Sequence, residues 1–243
     1  MEDPHMHFLL IHGSWHGAWC WHKIVPRLQA EGHSAHAIDL PGRGRSPARS
    51  QLVSLKSMVG AALAAMPEDQ TTTIVVHSRY GVLASQLAEL APERIARTIY
   101  LASFMLPNGK AVADYFREDR DSQLPPFVDI NRLGLWDWLR PEAYRHVLYH
   151  DCRDEDNALA ASLLCREPLR PAIGKLRLTD DRYGRVPRGY IRLSEDRAVS
   201  PFLQDRLLNE TSCDRVETVQ AGHSAYFSKP DQLTAAICRI AGG

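Results

Sequence analysis

Short apolar runs alternate along the chain with segments whose apolar residues recur at helical spacing. Turn residues bound the apolar runs, which is typical of strands buried on both faces of a parallel sheet. We predict strands over residues 7–13, 33–44, 71–78, 96–104, 188–196 and 214–223, and helices over residues 19–32, 52–66, 80–95 and 229–243. This alternation predicts an α/β fold with a doubly wound, mainly parallel six-stranded sheet and right-handed crossovers.

The alternation stops between about Pro107 and Pro187, in a segment with a proline pair, several aromatic residues and many charges. The segment is too long for a simple connection. We interpret it as a mostly helical cap inserted into the sheet fold, because ligand sites in such folds lie beyond the carboxyl ends of the strands. A peripheral decoration remote from any site is the alternative. The predicted division places residues 1–107 and 186–243 in the core and residues 108–185 in the cap.

The composition fits one α/β domain with a small insertion, since 44% of the 243 residues are hydrophobic. A formal net charge of +0 and a pI of about 7.2 give no indication of nucleic acid or an anionic membrane as a partner. The five cysteines have no C-x-x-C spacing, which favours a reduced, cytoplasmic protein. We expect no secretory signal, because the amino-terminal apolar run is short and lacks a basic flank, and no membrane span, because no stretch of about 18 uncharged apolar residues occurs.

Residues 71–90, "TTTIVVHSRYGVLASQLAEL", predict a strand, a sharp turn at Ser78 and a helix. This is the layout of a hydrolase nucleophile elbow, whose usual pattern is G-x-S-x-G because small residues allow strand and helix to approach closely. Val76 and Tyr80 occupy the two glycine positions here, and Gly81 follows them. The motif alone therefore leaves Ser78 either as a nucleophile or as an ordinary serine at a strand end.

Two residues later in the chain favour the nucleophile. A serine hydroxyl needs a base, and in elbow hydrolases the chain order is serine, acid, histidine. Asp196 and His223 follow the last two predicted strands, whose carboxyl ends lie beside Ser78. Glu195 is the rival acid, but neighbouring side chains on an extended segment point in opposite directions, so only one of the two carboxylates faces His223.

The segment "IHGSWHG" (residues 11–17) follows the first strand and predicts an oxyanion hole, which requires backbone N–H groups aimed at the developing charge. Gly13 lets the backbone turn, and the N–H groups of Ser14 and Arg79 are the expected donors. The Arg79 side chain has two interpretations. It faces the back of the sheet together with Tyr80, or it reaches into the pocket to meet a carboxylate or phenolate; we favour a backbone role.

Other candidate sites are weaker. His12 and His16 are four residues apart, but the glycines around them argue against a helix, so we predict no metal site. The basic stretch "GRGRSPARS" (residues 42–50) lacks the strand–G-x-G-x-x-G–helix context of a dinucleotide site, and we interpret it as a solvated loop.

Four segments of the chain are the opening "HFLLIHGSWHGAWCWHKIVPRLQAEGHSAHAIDLPGRG", the strand end "LASFMLPNG", the acid segment "PRGYIRLSEDRAVSPFLQ" and the histidine loop "QAGHSAYFSKP". Together they resemble the hydroxynitrile lyase and plant methylesterase branch of the α/β-hydrolases. The resemblance covers nearly the whole chain. It implies an α/β-hydrolase core, a helical cap insertion over an apolar pocket, no cofactor and a Ser78–His223–Asp196 triad.

The same resemblance separates the two chemistries of the branch. Its plant lyases carry a threonine at the position of Gly13 and, just after the catalytic histidine, a lysine that handles the cyanide leaving group. Ser224 takes the place of that lysine here, which favours an esterase. We expect the substrate pocket to be lined by Gly13, Trp15, Tyr80, Trp136 and Trp138.

These residues predict a cofactor-independent serine hydrolase that cleaves a carboxylic ester, a methyl ester or lactone, of an apolar small molecule. Two alternatives stay open because of Val76 and Tyr80. One is a lyase, a C–C cleaving or a cyclising enzyme that uses His223 as general base; the other is a ligand-binding protein that retains the triad. The oligomeric state also stays open, with a homodimer as one option.

Overall fold

A computed structural model describes residues 5–242 of the chain. Its strands are β1 (His7–Ile11), β2 (Ser34–Ile38), β3 (Thr72–His77), β4 (Ile95–Leu101), β5 (Val128–Asn131), β6 (Trp136–Leu139), β7 (Glu167–Pro168), β8 (Arg188–Leu193) and β9 (Arg215–Val219). Six of them form one parallel sheet in the order β2-β1-β3-β4-β8-β9, and three short strands form a separate antiparallel sheet in the order β5-β6-β7. The predicted six-stranded parallel sheet is confirmed.

Helices cover both faces of the large sheet. They are α1 (Val25–Ala30), α2 (Leu55–Ala65), α3 (Gly81–Leu90), α4 (Val112–Glu118), α5 (Asp154–Leu163), α6 (Arg170–Ile173), α7 (Pro201–Glu210), α8 (Ala225–Ser228) and α9 (Pro230–Ala241), with a π-helix at Tyr144–Leu148. Short 3₁₀ helices connect several of them. No helix within residues 5–242 has the length and apolar character needed to cross a membrane.

Strand alternation divides the core into two hydrophobic clusters. Phe8 and Leu10 of β1 pack into one cluster, whereas Leu9 and Ile11 pack into the other. Successive side chains of a strand point to opposite faces, so a sheet covered on both sides needs apolar residues at every position. This requirement explains why β1 and β3, apart from the terminal His7 and His77, consist of apolar or β-branched residues, with every position buried.

The observed element boundaries differ from the predicted ones at several places. The helix predicted over residues 80–95 ends at Leu90, because a 3₁₀ turn begins at Pro92. The helix predicted over residues 19–32 is divided into a 3₁₀ helix at Ala18–Trp21 and the α-helix α1 at Val25–Ala30. Helix α7 was not predicted, although Ser200 caps its amino terminus by accepting a hydrogen bond from Leu203 N–H and Pro201 is its first residue.

The segment between β4 and β8 contains helices and also the small antiparallel sheet, which the sequence analysis did not predict. In β6 the burial alternates: Asp137 and Leu139 are buried, whereas Trp136 and Trp138 are only half-buried. The acidic residue of this strand therefore points inward and the two tryptophans point to the opposite face. The division of the chain into core and cap stays a prediction.

Candidate active site

Ser78 stands at a strained turn between β3 and α3. Its φ is 56°, a left-handed conformation that is costly for a residue other than glycine. Its carbonyl oxygen accepts hydrogen bonds from Phe104 N–H at 3.0 Å and from the Ser103 hydroxyl at 2.5 Å. The segment that follows β4 thus holds this conformation in place and presents Ser78 at the carboxyl edge of the sheet.

Gly81 allows α3 to pack closely against the segment that follows β4, although Val76 and Tyr80 occupy the usual glycine positions of the elbow. A Cβ atom at Gly81 would lie 2.5 Å from Phe104 O and 2.8 Å from Ser103 Oγ, so no larger residue fits without a shift. Val76 packs in the core, and the Tyr80 side chain is fully buried. The elbow therefore keeps its tight geometry although its usual glycine positions hold Val76 and Tyr80.

The two residues predicted to follow the last strands of the sheet lie together. Nδ1 of His223 donates to Oδ2 of Asp196 at 2.7 Å, and both side chains are buried. The other oxygen of Asp196 accepts hydrogen bonds from Ala198 N–H at 2.7 Å and Val199 N–H at 3.0 Å, which fixes the carboxylate. Glu195 instead accepts a hydrogen bond from Gln220 at an exposed position. Asp196 is thus the carboxylate that orients the His223 ring.

Within residues 5–242, Ser78 and His223 share no hydrogen bond, and His77, the residue before Ser78, is the one that contacts His223. Within residues 5–242, no atom lies in hydrogen-bonding geometry to Ser78 Oγ, although catalytic hydrogen bonds often form only when substrate binds. The ring centroids of His77 and His223 are 4.4 Å apart, and His77 Nε2 donates to the His223 carbonyl at 3.0 Å. Burial lowers the pKa of His77 well below its usual value, so this ring is neutral and positions the His223 backbone.

Gly13 permits the close packing of the loop after β1 against Ser78. A Cβ atom at Gly13 would lie 2.9 Å from both Ser78 Cβ and His77 Nδ1. His12 donates through Nδ1 to the Gly13 carbonyl at 2.8 Å and accepts from Leu40 N–H at 3.2 Å. Burial lowers the pKa of His12 to about 3, so the neutral ring fixes this loop.

His16 fixes the next part of the same loop. Its Nδ1 donates to the Ser14 carbonyl at 2.6 Å, and its Nε2 accepts from the hydroxyls of Tyr149 at 2.5 Å and Tyr226 at 3.0 Å. Burial lowers the pKa of His16 to about 3. Both loop histidines are therefore neutral hydrogen-bonding residues that hold the peptide units around Ser14.

A buried ion pair joins the basic loop to β7. The Arg43 guanidinium donates to both oxygens of Glu167, at 2.7 and 3.1 Å, and both side chains are fully buried. Glu167 also accepts from Trp15 N–H at 2.7 Å and from the Tyr80 hydroxyl. Burial alone would raise the pKa of Glu167, but the Arg43 charge lowers it to about 2. The prediction of a solvated basic loop is wrong for Arg43, because a carboxylate from a distant strand neutralises it; Arg45 is exposed.

A second buried pair lies beside the first. Arg79 Nη1 donates to Oδ2 of Asp137 at 3.0 Å, and Trp15 Nε1 donates to the other oxygen at 2.7 Å. Burial raises the pKa of Asp137, and the Arg79 charge opposes that effect. The Arg79 side chain therefore meets a carboxylate, which is the interpretation that the sequence analysis did not favour.

A cavity of about 20 Å³ adjoins Ser78. Its lining includes Ser14, Trp15, Ser78 and Arg79 on one side and apolar side chains such as Phe116 and Leu124 on the other. This volume holds little more than one water molecule, whereas small-molecule pockets measure about 300 Å³ or more. A substrate therefore enters only when lining side chains move.

Of the five expected pocket residues, Trp15 borders this cavity. Gly13 packs against Cβ of Ser78 and the His77 ring, and Tyr80 is directed to Glu167. Trp136 and Trp138 lie on the half-buried face of β6, where the Arg166 guanidinium stacks 4.2 Å from the Trp136 ring centroid. The sequence analysis missed Arg43, Asp137 and Glu167, since no local pattern indicates which distant charges will pair.

The α/β hydrolase family profile matches residues 8–237, and with the parallel sheet and the elbow this match shows that the chain belongs to the α/β hydrolase family. Norfluorocurarine synthase 2 from a Strychnos species is 32% identical over 254 residues, which cover 96% of this chain and 94% of that protein. The crystal structure of a methylesterase protein from Arabidopsis has 28% identity and a TM-score of 0.81, covering 96% of this chain and 98% of that one.

A further relative, putative methylesterase 11, chloroplastic, of Arabidopsis thaliana, is 31% identical over 257 residues and 97% of this chain. The match spans only 64% of that relative's own length. These similarities confirm the resemblance to the plant methylesterase branch. The predicted cytoplasmic location stays a prediction.

Proposed function

We propose that this chain is a cofactor-independent carboxylic ester hydrolase that cleaves a methyl ester or lactone of an apolar small molecule. The observation that carries the proposal is the buried His223–Asp196 hydrogen bond of 2.7 Å beside the strained turn at Ser78. The relatives named as methylesterases support ester cleavage, and the apolar lining of the cavity supports an apolar substrate.

In the proposed first step, Ser78 Oγ attacks the ester carbonyl carbon while His223 Nε2 takes the hydroxyl proton. The carbonyl π electrons move to the oxygen, where the N–H groups of Ser14 and Arg79 stabilise the negative charge. Asp196 keeps the Nδ1–H tautomer of His223 and stabilises the imidazolium. The tetrahedral intermediate then expels the alcohol, which takes the proton from His223, and leaves an acyl-enzyme on Ser78.

In the second step, His223 removes a proton from water, and the hydroxide attacks the acyl carbon. The second tetrahedral intermediate returns the acid and restores the Ser78 hydroxyl with the proton held by His223. The neutral loop histidines act only through the backbone of the oxyanion loop.

Intact-mass labelling with a fluorophosphonate tests the nucleophile. We expect one adduct on the wild-type protein, no adduct on Ser78→Ala, and an unchanged adduct on Ser162→Ala, an exposed serine on α5. Hydrolysis of methyl esters is expected to disappear with the adduct. Full ester turnover by folded Ser78→Ala would overturn the proposal.

A second candidate is a lyase or a C–C cleaving reaction in which His223 acts as general base without an acyl-enzyme. Two observations favour it: Ser78 Oγ has no hydrogen bond to His223 in the part of the chain that the structure describes, and one relative is named a synthase. Activity that survives Ser78→Ala but is lost in His223→Ala would select this candidate. Tight ligand binding without any product would instead select the binding-protein alternative.

A further inference from the structure

The Arg79 guanidinium has more hydrogen-bond donors than its protein partners use. Among the residues that the structure describes, only its Nη1 has partners: Asp137 at 3.0 Å and, further away, Glu167 at 3.9 Å. Within residues 5–242, neither Nε nor Nη2 has an acceptor. An arginine carries five N–H donors in a fixed planar arrangement. The buried side chain therefore keeps donors available on a residue that is only 8% exposed.

These donors lie beside the nucleophile. Arg79 directly follows Ser78 in the chain, and both residues line the same cavity together with Ser14 and Trp15. The guanidinium carbon is 5.5 Å from the centroid of the Trp15 ring, and Asp137 binds both side chains, so the guanidinium is held in position. A group that occupies the cavity next to the reacting carbonyl therefore meets these donors.

The charge around Arg79 is already balanced. Two buried cations, Arg43 and Arg79, face two buried carboxylates, Glu167 and Asp137, and the four formal charges sum to zero. A substrate carboxylate would add an uncompensated negative charge to a small, largely apolar cavity, which is costly. A neutral oxygen acceptor satisfies the remaining donors without adding charge.

We propose that the Arg79 side chain selects esters whose acyl part carries a second, neutral oxygen acceptor, a ketone or an equivalent carbonyl, a few bonds from the ester carbonyl. This inference rests on the proposed function, because a methyl ester has no acceptor on its alcohol side and the acceptor must then lie in the acyl part. Arg79 thus has two separate tasks: its backbone N–H serves the oxyanion, and its side chain determines specificity.

The test compares matched methyl esters: methyl hexanoate, its 3-oxo, 4-oxo and 5-oxo analogues, and monomethyl glutarate as the anionic probe. We expect the wild-type protein to hydrolyse at least one oxo ester with a kcat/KM roughly ten-fold or more above that of methyl hexanoate, because a hydrogen bond to a charged donor contributes at least that much. The preferred oxo position reports the distance from the reacting carbonyl to the guanidinium. Monomethyl glutarate should be the poorest substrate.

Three variants assign the preference to Arg79. In Arg79→Met/Asp137→Asn both charges are removed, and the amide oxygen introduced at position 137 still accepts from Trp15, so the oxo preference should fall to about one-fold. Asp137→Asn alone keeps the guanidinium without its counter-charge, and its preference should shift towards monomethyl glutarate. Arg79→Lys should keep part of the oxo preference. Ratios between substrates are compared in proteins whose folding is checked by circular dichroism.

The outcomes separate this inference from the proposed function. If the wild-type protein hydrolyses methyl hexanoate but no oxo ester is preferred, or if the double variant keeps the preference, the role of Arg79 is refuted while ester hydrolysis stands. If no ester is cleaved, the proposed function fails, and thermal-shift titration of Ser78→Ala with the same compounds decides the role of Arg79. A larger stabilisation by an oxo ester than by methyl hexanoate, lost when Arg79→Met/Asp137→Asn is added, supports the role; equal stabilisation overturns it.

Discussion

The Tyr80 hydroxyl donates a hydrogen bond to Glu167, a residue 87 positions further along the chain. Tyr80 stands where the elbow pattern has a small residue, and Glu167 belongs to the segment inserted between β4 and β8. The same carboxylate binds Arg43 and the Trp15 N–H. The unusual side chain of the elbow is thus accommodated by a buried partner from the insertion and does not line the cavity beside Ser78.

Glu167→Gln should strongly destabilise the protein. The substitution keeps the side-chain shape but leaves the buried Arg43 without a counter-charge, so we expect the free energy of unfolding to fall by about 3 kcal/mol or more. Denaturation by urea measures this change. Asp154→Asn is the matched control, because it breaks an exposed pair with Arg145 and should cost less than about 1 kcal/mol. Similar, small effects of the two substitutions would contradict the structural role of Glu167.

Asp196→Asn should lower kcat for ester hydrolysis by roughly a thousand-fold or more, because the amide no longer holds the His223 tautomer with Nδ1 protonated. Glu195→Gln, one residue away, should leave kcat within about two-fold, since this side chain contacts Gln220 at the surface. Steady-state kinetics on one methyl ester compares the two variants. A larger loss of kcat in Glu195→Gln than in Asp196→Asn would mean that Glu195, not Asp196, is the acid that acts on His223.

Gly81→Ala should destabilise the fold and displace Ser78. The added methyl group would meet backbone and side-chain atoms at 2.5 to 2.8 Å, and such overpacking costs about 1–3 kcal/mol. Gly60→Ala is the matched control on α2, where a Cβ atom would have no neighbour within 4 Å. An alanine there should stabilise the helix by about 0.5–1 kcal/mol. Thermal unfolding of both variants should give shifts of opposite sign.

The buried histidines should make the protein sensitive to mild acid. Unfolded histidine binds a proton near pH 6.5, whereas burial lowers the pKa of folded His12 and His16 to about 3. Unfolding therefore takes up protons between these values, so the full stability is present above pH 6.5 and decreases as the pH falls towards 3. Each such histidine contributes a slope of up to about 1.4 kcal/mol per pH unit.

Urea denaturation at several pH values between 6.5 and 5 measures this slope, since most carboxylates titrate at lower pH. His16→Gln cannot take up that proton, so its slope should be smaller than that of the wild-type protein by about 1 kcal/mol per pH unit. An unchanged slope would mean that His16 is protonated in the folded protein.

The residues that could be predicted from sequence all lie next to strong local patterns. Ser78 follows a β-branched run, and Asp196 and His223 follow the last two strands of the sheet. Chain order and strand polarity were enough to predict the contact between Asp196 and His223, which is observed, whereas their action on Ser78 stays a prediction. Helix α7 also carried a readable signal, a serine cap followed by proline, which was overlooked.

The buried charges could not be predicted in the same way. Arg43 and Glu167 are 124 positions apart, and Arg79 and Asp137 are 58 positions apart. Strands of two and four residues carry the two carboxylates, too short for a periodic pattern to show which face is buried. In β6 the tryptophans suggested a pocket wall, whereas strand alternation directs the aspartate between them inward.

The position of Glu167 also sets an order of events during protein synthesis. Arg43, Arg79 and Tyr80 all leave the ribosome before Glu167 is made, and chains begin to fold from the amino terminus as they emerge. Until β7 has been synthesised, the Arg43 guanidinium and the Tyr80 hydroxyl, which are buried in the folded protein, lack the carboxylate that binds them. The segments before β7 can form strands and helices, but the turn that presents Ser78 gains its final surroundings only after Glu167 has been translated.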